Sequence, residues 1–158
     1  MIIIAFDPGT YHTGYAILND KSELLKYGVI SSADRINLGK RLQTIYKYTT
    51  DLIRAYGPAV IACEDQFVGG NKKTALILRE ATAIIRLAST EWDVPFILYG
   101  NTDVKKAVCK DGRASKEKIR EAVQKKFNVE IKDNNITDAI AVGLTSLNKE
   151  QEETGEEE

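Results

Sequence analysis

Three short apolar runs, at residues 2–6, 14–19 and 24–31, are crowded into the first 31 residues of the chain, each rich in Ile, Leu, Val or Tyr. Runs of this length, bounded by turn residues, read as β-strands. The few residues between them suit antiparallel neighbours, since a parallel pair needs a crossover of a dozen residues or more. The chain therefore begins as a three-stranded antiparallel unit, and the rest must pack on it or extend it.

Beyond residue 31 helices and strands alternate. Over 37–56, Leu38, Leu42, Ile45, Thr49, Leu52, Ile53 and Tyr56 recur at helical spacing until Gly57-Pro58 ends the pattern. Residues 59–63 form a short buried strand, 72–90 a second long helix and 95–99 a fifth strand. Two helices follow at 102–109 and 115–127, the second started by Ser115, whose side chain can cap free amides. A last helix runs from about Ile136 to Leu147. Helical crossovers demand that strands four and five pair in parallel. The fold class is α/β, with a five-stranded mixed sheet, three strands antiparallel and then two parallel, flanked by helices. Residues 1–148 form one domain and 149–158 an acidic tail expected to be disordered, since residues 150–158 contain no apolar residue.

That tail distorts the charge balance. Residues 150–158 carry six of the 23 acidic residues and none of the 22 basic ones, so the formal net charge of −1 hides a remainder with 22 basic against 17 acidic residues, or +5. The tail is either a solvated end or a competitor for a basic surface. No apolar run approaches the roughly 20 residues of a membrane span, and no signal peptide precedes the first strand. Cys63 and Cys109 are accordingly expected as reduced thiols, with the cytoplasm of a bacterial or phage-infected cell as the compartment.

Three carboxylates stand out. Asp7 ends strand one ahead of Pro8-Gly9, Glu64 ends strand four, and Asp138 opens the last helix. Taken singly, Asp7 can be a turn former and Asp138 can complement the helix dipole. Glu64 is harder to dismiss, because a carboxylate directly after a buried strand is costly to keep without a partner. If strand four lies beside strand one, Asp7 and Glu64 meet at adjacent strand ends and the last helix brings Asp138 against them. Such a trio, without basic partners, repels itself unless cations neutralise it. Oxygen ligands select Mg²⁺ or Mn²⁺, and two such ions suit phosphodiester cleavage. His12 is the single histidine, which leaves no basis for a serine-type triad or a His-rich zinc site.

The segments FDPGTYHTGY, CEDQF and ITDAIAVGL, in this order and at these separations, resemble the RuvC family of Holliday-junction resolvases over nearly all of residues 1–148. The resemblance implies an RNase H-like fold, a homodimer, and a metal-dependent endonuclease that makes paired symmetric nicks across a four-way DNA junction. Position by position, it implies Asp7, Glu64 and Asp138 as metal ligands. Asn135 stands where the family pattern usually has a further Asp; its carbonyl oxygen can still ligate but adds no charge, and Asp133 lies close enough to substitute.

Residues 105–126 hold nine basic side chains against three acidic ones, the pattern expected of phosphate contacts, although a solvated helix face explains some of them. Lys105 and Lys116 match basic positions the family uses near the scissile phosphate; Lys106, Arg113 and Lys118 are further candidates. Phe67 sits in a glycine-containing loop after Glu64, either stacking on an opened base or buried under the second helix. Asn71, Lys72 and Lys73 behind it can meet backbone phosphates. The second helix is apolar over a wide arc (Leu76, Ile77, Ala81, Ala83, Ile84, Ile85, Leu87 and Ala88), enough to cover the sheet and leave a face for a second copy. Two other classes compete. A phosphotransferase or ATPase of the actin–hexokinase type needs a second clamping domain that 158 residues do not hold. A junction-binding protein without catalysis, or a broader flap and fork nuclease, is suggested by Asn135.

Overall fold

The strand β1 (Ile2–Asp7) is apolar nearly end to end because it lies at the centre of the sheet with both faces covered. The computed structural model describes residues 1–33, 37–65 and 71–155. In chain order the remaining elements are β2 (His12–Asn19), β3 (Leu24–Ser31), α1 (Leu38–Tyr56), β4 (Val60–Asp65), α2 (Lys72–Glu91), β5 (Phe96–Gly100), α3 (Asn101–Cys109), α4 (Lys116–Phe127) and α5 (Asn134–Thr154). The sheet order is β3-β2-β1-β4-β5. β1, β2 and β3 pair antiparallel, and β4 joins β1 and β5 in parallel, as the connection lengths require.

Because side chains alternate across a strand, β1 divides its residues between two cores. Ile4 and Phe6 point to the side packed by α1 and α2, among Ile45, Leu52, Ile61, Ala81 and Ile85. Ile3 and Ala5 point to the other side, where Val104, Ile119, Ala139, Val142 and Leu147 from α3, α4 and α5 meet Leu18 and Ala62. α5 is the central helix of this second layer, and Gly143 lets it approach closely: a Cβ there would stand 2.3 Å from Leu18 Cδ1 and 3.3 Å from Ala5 Cβ.

Two boundaries differ from the sequence-based expectation in ways that matter. β1 and β4 run on to include Asp7, Glu64 and Asp65, so both carboxylates of interest are anchored within strands. The last helix starts at Asn134 and continues to Thr154, so residues 149–154 are helical where the composition predicts a disordered tail. Glu and Gln are good helix formers, Asn148 Nδ2 ties the helix to α3 by donating to Ala107 O at 3.3 Å, and Gly155 ends it in a left-handed turn at φ 73°. Among the described residues, no helix is long and apolar enough to cross a membrane.

Candidate active site

Strand parity decides which way the carboxylates face. Ile3 and Ala5 belong to the core under α5, so Asp7, two residues on, continues on that side; Val60 and Ala62 do the same for Glu64. The parallel register places Phe6 opposite Cys63, so Asp7 and Glu64 leave adjacent strands at the same level. Asp7 is also paired with Gly14 of β2. The start of α5 lies directly on that glycine: a Cβ at Gly14 would be 1.9 Å from the carbonyl oxygen of Asn135. One residue without a side chain thus seats the first turn of α5 beside the end of β1. Asp138 follows Asn135 by three residues, on the same helix face one turn later.

Asp7, Glu64, Asn135 and Asp138 line one cleft of about 1450 Å³, together with Asn134, Asn101, Lys105 and Lys116. Asp7 is almost fully buried at 8% exposure, and its charge, after burial, helps to push up the proton affinity of the Cys63 thiol behind it. The Asp138 carboxyl is held above its ordinary value, chiefly by burial. The neighbouring charges of Glu64 and Asp133 add to that rise, and Lys116 opposes it. Glu64 and Asp138 therefore sense one another across the cleft. This is the electrostatic condition under which a cation is attracted.

The expectation of carboxylates without basic partners is corrected here. Lys116 Nζ lies 3.7 Å from Asp138 Oδ2, and Glu64 Oε1 accepts a hydrogen bond of 2.9 Å from Asn101 Nδ2. With Glu64 turned to Asn101 and Asp138 to Lys116, no three His, Cys, Asp or Glu side chains among the described residues are gathered into a ready cation-binding group. The donor set nonetheless fits a hard divalent ion in its chemistry, since every candidate ligand atom is an oxygen. Lys116 is 72% exposed along its side chain, so its ammonium is easily drawn aside.

Other expected residues fall elsewhere. Asp133 lies outside the cleft lining and caps α5, its Oδ1 accepting from the Asn135 amide at 2.8 Å. Asn71 caps α2 by accepting from the amides of Lys73 at 3.1 Å and Thr74 at 3.2 Å. Lys72 and Lys73 are exposed on the first turn of α2, and Lys106, Arg113 and Lys118 stand outside the lining of the cleft. Phe67 lies outside the described residues. His12 touches Ser31 Oγ through Nδ1 at 3.1 Å, a cross-strand contact at the cleft mouth.

Sequence reasoning missed several lining residues. Asn101 follows β5 immediately, and the carboxyl ends of parallel strands are where α/β proteins gather their ligands; that rule was enough to find it. Arg41 had no such signal, because it reads as one more basic residue on an amphipathic helix. It is in fact buried, with its guanidinium 3.9 Å from the centre of the Tyr11 ring. The cleft thereby has basic groups on both walls, Lys105 and Lys116 on one and Arg41 and Arg79 on the other.

Comparisons with known proteins agree with this architecture. The family model described as crossover junction endodeoxyribonuclease RuvC matches residues 3–146. A protein of that description from Dictyoglomus thermophilum is 30% identical over 156 residues, covering 96% of this chain and 99% of its own. One from Moorella thermoacetica is 34% identical over 149 residues, covering 91% and 89% respectively. Among solved structures, T. thermophilus RuvC in complex with Holliday junction substrate superposes with a TM-score of 0.90 at 24% identity, over 98% of this chain and 97% of the other. The fowlpox virus Holliday junction resolvase shares the fold more distantly, with a TM-score of 0.57 at 17% identity over 94% and 99%.

Proposed function

We infer the function from one premise: the chain belongs to the RuvC family of crossover junction endodeoxyribonucleases. It is a Holliday-junction resolvase, a structure-selective DNA endonuclease that acts on four-way junctions in recombination and repair. The observation that supports this reading at the level of residues is that Asp7, Glu64 and Asp138, carried by three separate elements, line one cleft. The reading takes the enzyme as metal-dependent, with Mg²⁺ or Mn²⁺, two ions per site, held by Asp7, Glu64, Asp138 and the amide oxygen of Asn135. The ions supply an activated water and charge neutralisation at the scissile phosphate.

The protein's own part is to hold and orient. The strand ends fix Asp7 and Glu64, and the seat of α5 on Gly14 fixes Asn135 and Asp138. Lys105 and Lys116 offer positive charge to the phosphate. Lys116 can turn from Asp138 towards DNA, because the ion pair is exposed at the lysine end. On α2, Leu76 and Leu87 remain exposed at 67% and 48%, an apolar face suited to a second copy. A homodimer placing two such clefts on one junction suits paired symmetric nicking. Asp133, with its oxygen engaged as a helix cap, takes a positioning part in this reading. The cytoplasm is the compartment.

The direct test is incubation with end-labelled four-way junction, flap and linear duplex in Mg²⁺. Paired nicks placed symmetrically in opposing junction strands, with the duplex left whole, are expected. Tight junction binding with no nick at any Mg²⁺ concentration would favour the non-catalytic reading that Asn135 suggests.

A second expectation concerns DNA affinity alone. Lys105→Ala removes one cation from the cleft wall, so the slope of log affinity against log salt becomes shallower by about 0.9 for each phosphate that Lys105 neutralises. Binding to junctions of different sequence weakens equally. A salt titration that superposes on wild type means Lys105 touches no phosphate.

A further inference from the structure

We propose that Asn101 is a positioning residue for Glu64, holding that carboxylate in the orientation from which it binds a divalent cation; this rests on the functional reading above. The parallel pairing of β4 with β5 sets Glu64 opposite Tyr99 and Asp65 opposite Gly100. Asn101, the next residue, therefore emerges beside Glu64 at the strand ends. Its side-chain amide donates to Glu64 Oε1 at 2.9 Å, and both residues line the cleft.

The helix itself has no use for this side chain. The N-cap of α3 is Gly100, and no side-chain hydrogen bond closes that end. Asn is a mediocre helix former, so propensity does not account for its presence in the first turn. What the amide does supply is a neutral donor. The contrast with the other carboxylate is informative: Asp138 is held by a cation, Lys116, which cancels charge that a metal ion would otherwise meet. Asn101 restrains Glu64 without cancelling any charge. An ionised carboxylate offers about four lone-pair sites, and one amide hydrogen occupies a single one of them. The rest stay open to a ligand.

Groups that orient metal ligands typically contribute 10–100-fold to metal affinity or activity. The test uses the full chain and two variants that lack the donor, Asn101→Ala and Asn101→Leu. Mn²⁺ binding is measured by calorimetry without DNA, alongside nicking of a synthetic four-way junction across a Mn²⁺ titration, junction affinity in Ca²⁺, and thermal melting. Both variants are expected to bind Mn²⁺ roughly 10–100-fold more weakly. Their nicking curves should shift to higher Mn²⁺ by a similar factor, while junction affinity and melting temperature are unaltered. If wild type binds Mn²⁺ and nicks the junction, and both variants match its Mn²⁺ isotherm, the positioning role is overturned and the functional reading stands. If wild type itself neither binds Mn²⁺ nor nicks, the functional reading fails, and this inference falls with it.

Discussion

Glu64→Gln is expected to leave junction binding intact while slowing nicking by roughly 10³-fold or more, the equivalent of about 4 kcal/mol of lost transition-state stabilisation. The substitution keeps the shape and length of the side chain and removes only its charge and one acceptor. Nothing in the fold depends on that charge. Glu64 lies near the end of β4 and accepts a hydrogen bond from the Asn101 amide, which a Gln oxygen can still accept. The change therefore separates chemistry from architecture more cleanly than a change at Asp7, which is buried. A metal-assisted cleavage needs negative charge at this point, and DNA recognition does not; removing the charge should, if anything, favour approach of a phosphodiester backbone. Single-turnover nicking and a gel-shift titration in Ca²⁺ would report the two properties independently. A variant that cuts at the wild-type rate would remove Glu64 from the catalytic group.

How much of this is legible in the sequence depends on the range of the interaction concerned. The five strands and their pairing rest on hydrophobic runs and connection lengths, which are local, and the observed sheet follows them. Placing Asp7 and Glu64 together needs only that β4 lie beside β1. Besides buried Arg41, two features that are not readable depend on how the start of α5 meets its surroundings. Lys116 reads as a phosphate ligand, but its pairing with Asp138 joins α4 to α5 and leaves no periodicity to read. Asp133 reads as a spare metal ligand, yet its carboxylate caps a helix that starts two residues earlier than its apolar pattern does. The acidic end of the chain misleads for a different reason. Composition argues for disorder over 149–158, whereas α5 continues to Thr154 from a core-packed body, with Asn148 fastened to α3. A helix already nucleated extends at little cost through Glu and Gln.

Gly14→Ala is expected to damage the site, because among the described glycines an added Cβ meets its closest neighbour there. At most positions one methyl group is tolerated with local adjustment. Here it would sit 1.9 Å from the Asn135 carbonyl oxygen and 2.4 Å from its carbonyl carbon, atoms of a helix backbone that cannot rotate away. The first turn of α5 has to retreat from β2, and with it Asn135 and Asp138. Overpacking of this kind costs about 1–3 kcal/mol, and in a domain of this size each kcal/mol lowers the melting temperature by about 2–4 °C. The catalytic loss should be larger than the stability loss, because a displacement near 1 Å in a reacting group can cost about 10²-fold in rate. Gly143→Ala provides the control within the same helix. Its new methyl would press on the terminal Cδ1 of buried Leu18 at 2.3 Å and approach Ala5 Cβ at 3.3 Å, side-chain atoms remote from the first turn of α5, and the gain in helix propensity of about 1 kcal/mol offsets part of the strain. Measured below both transitions, Gly143→Ala should retain most of its nicking rate while Gly14→Ala loses about two orders of magnitude. Equal activities in the two folded variants would mean that the seat of α5 on β2 does not position the site.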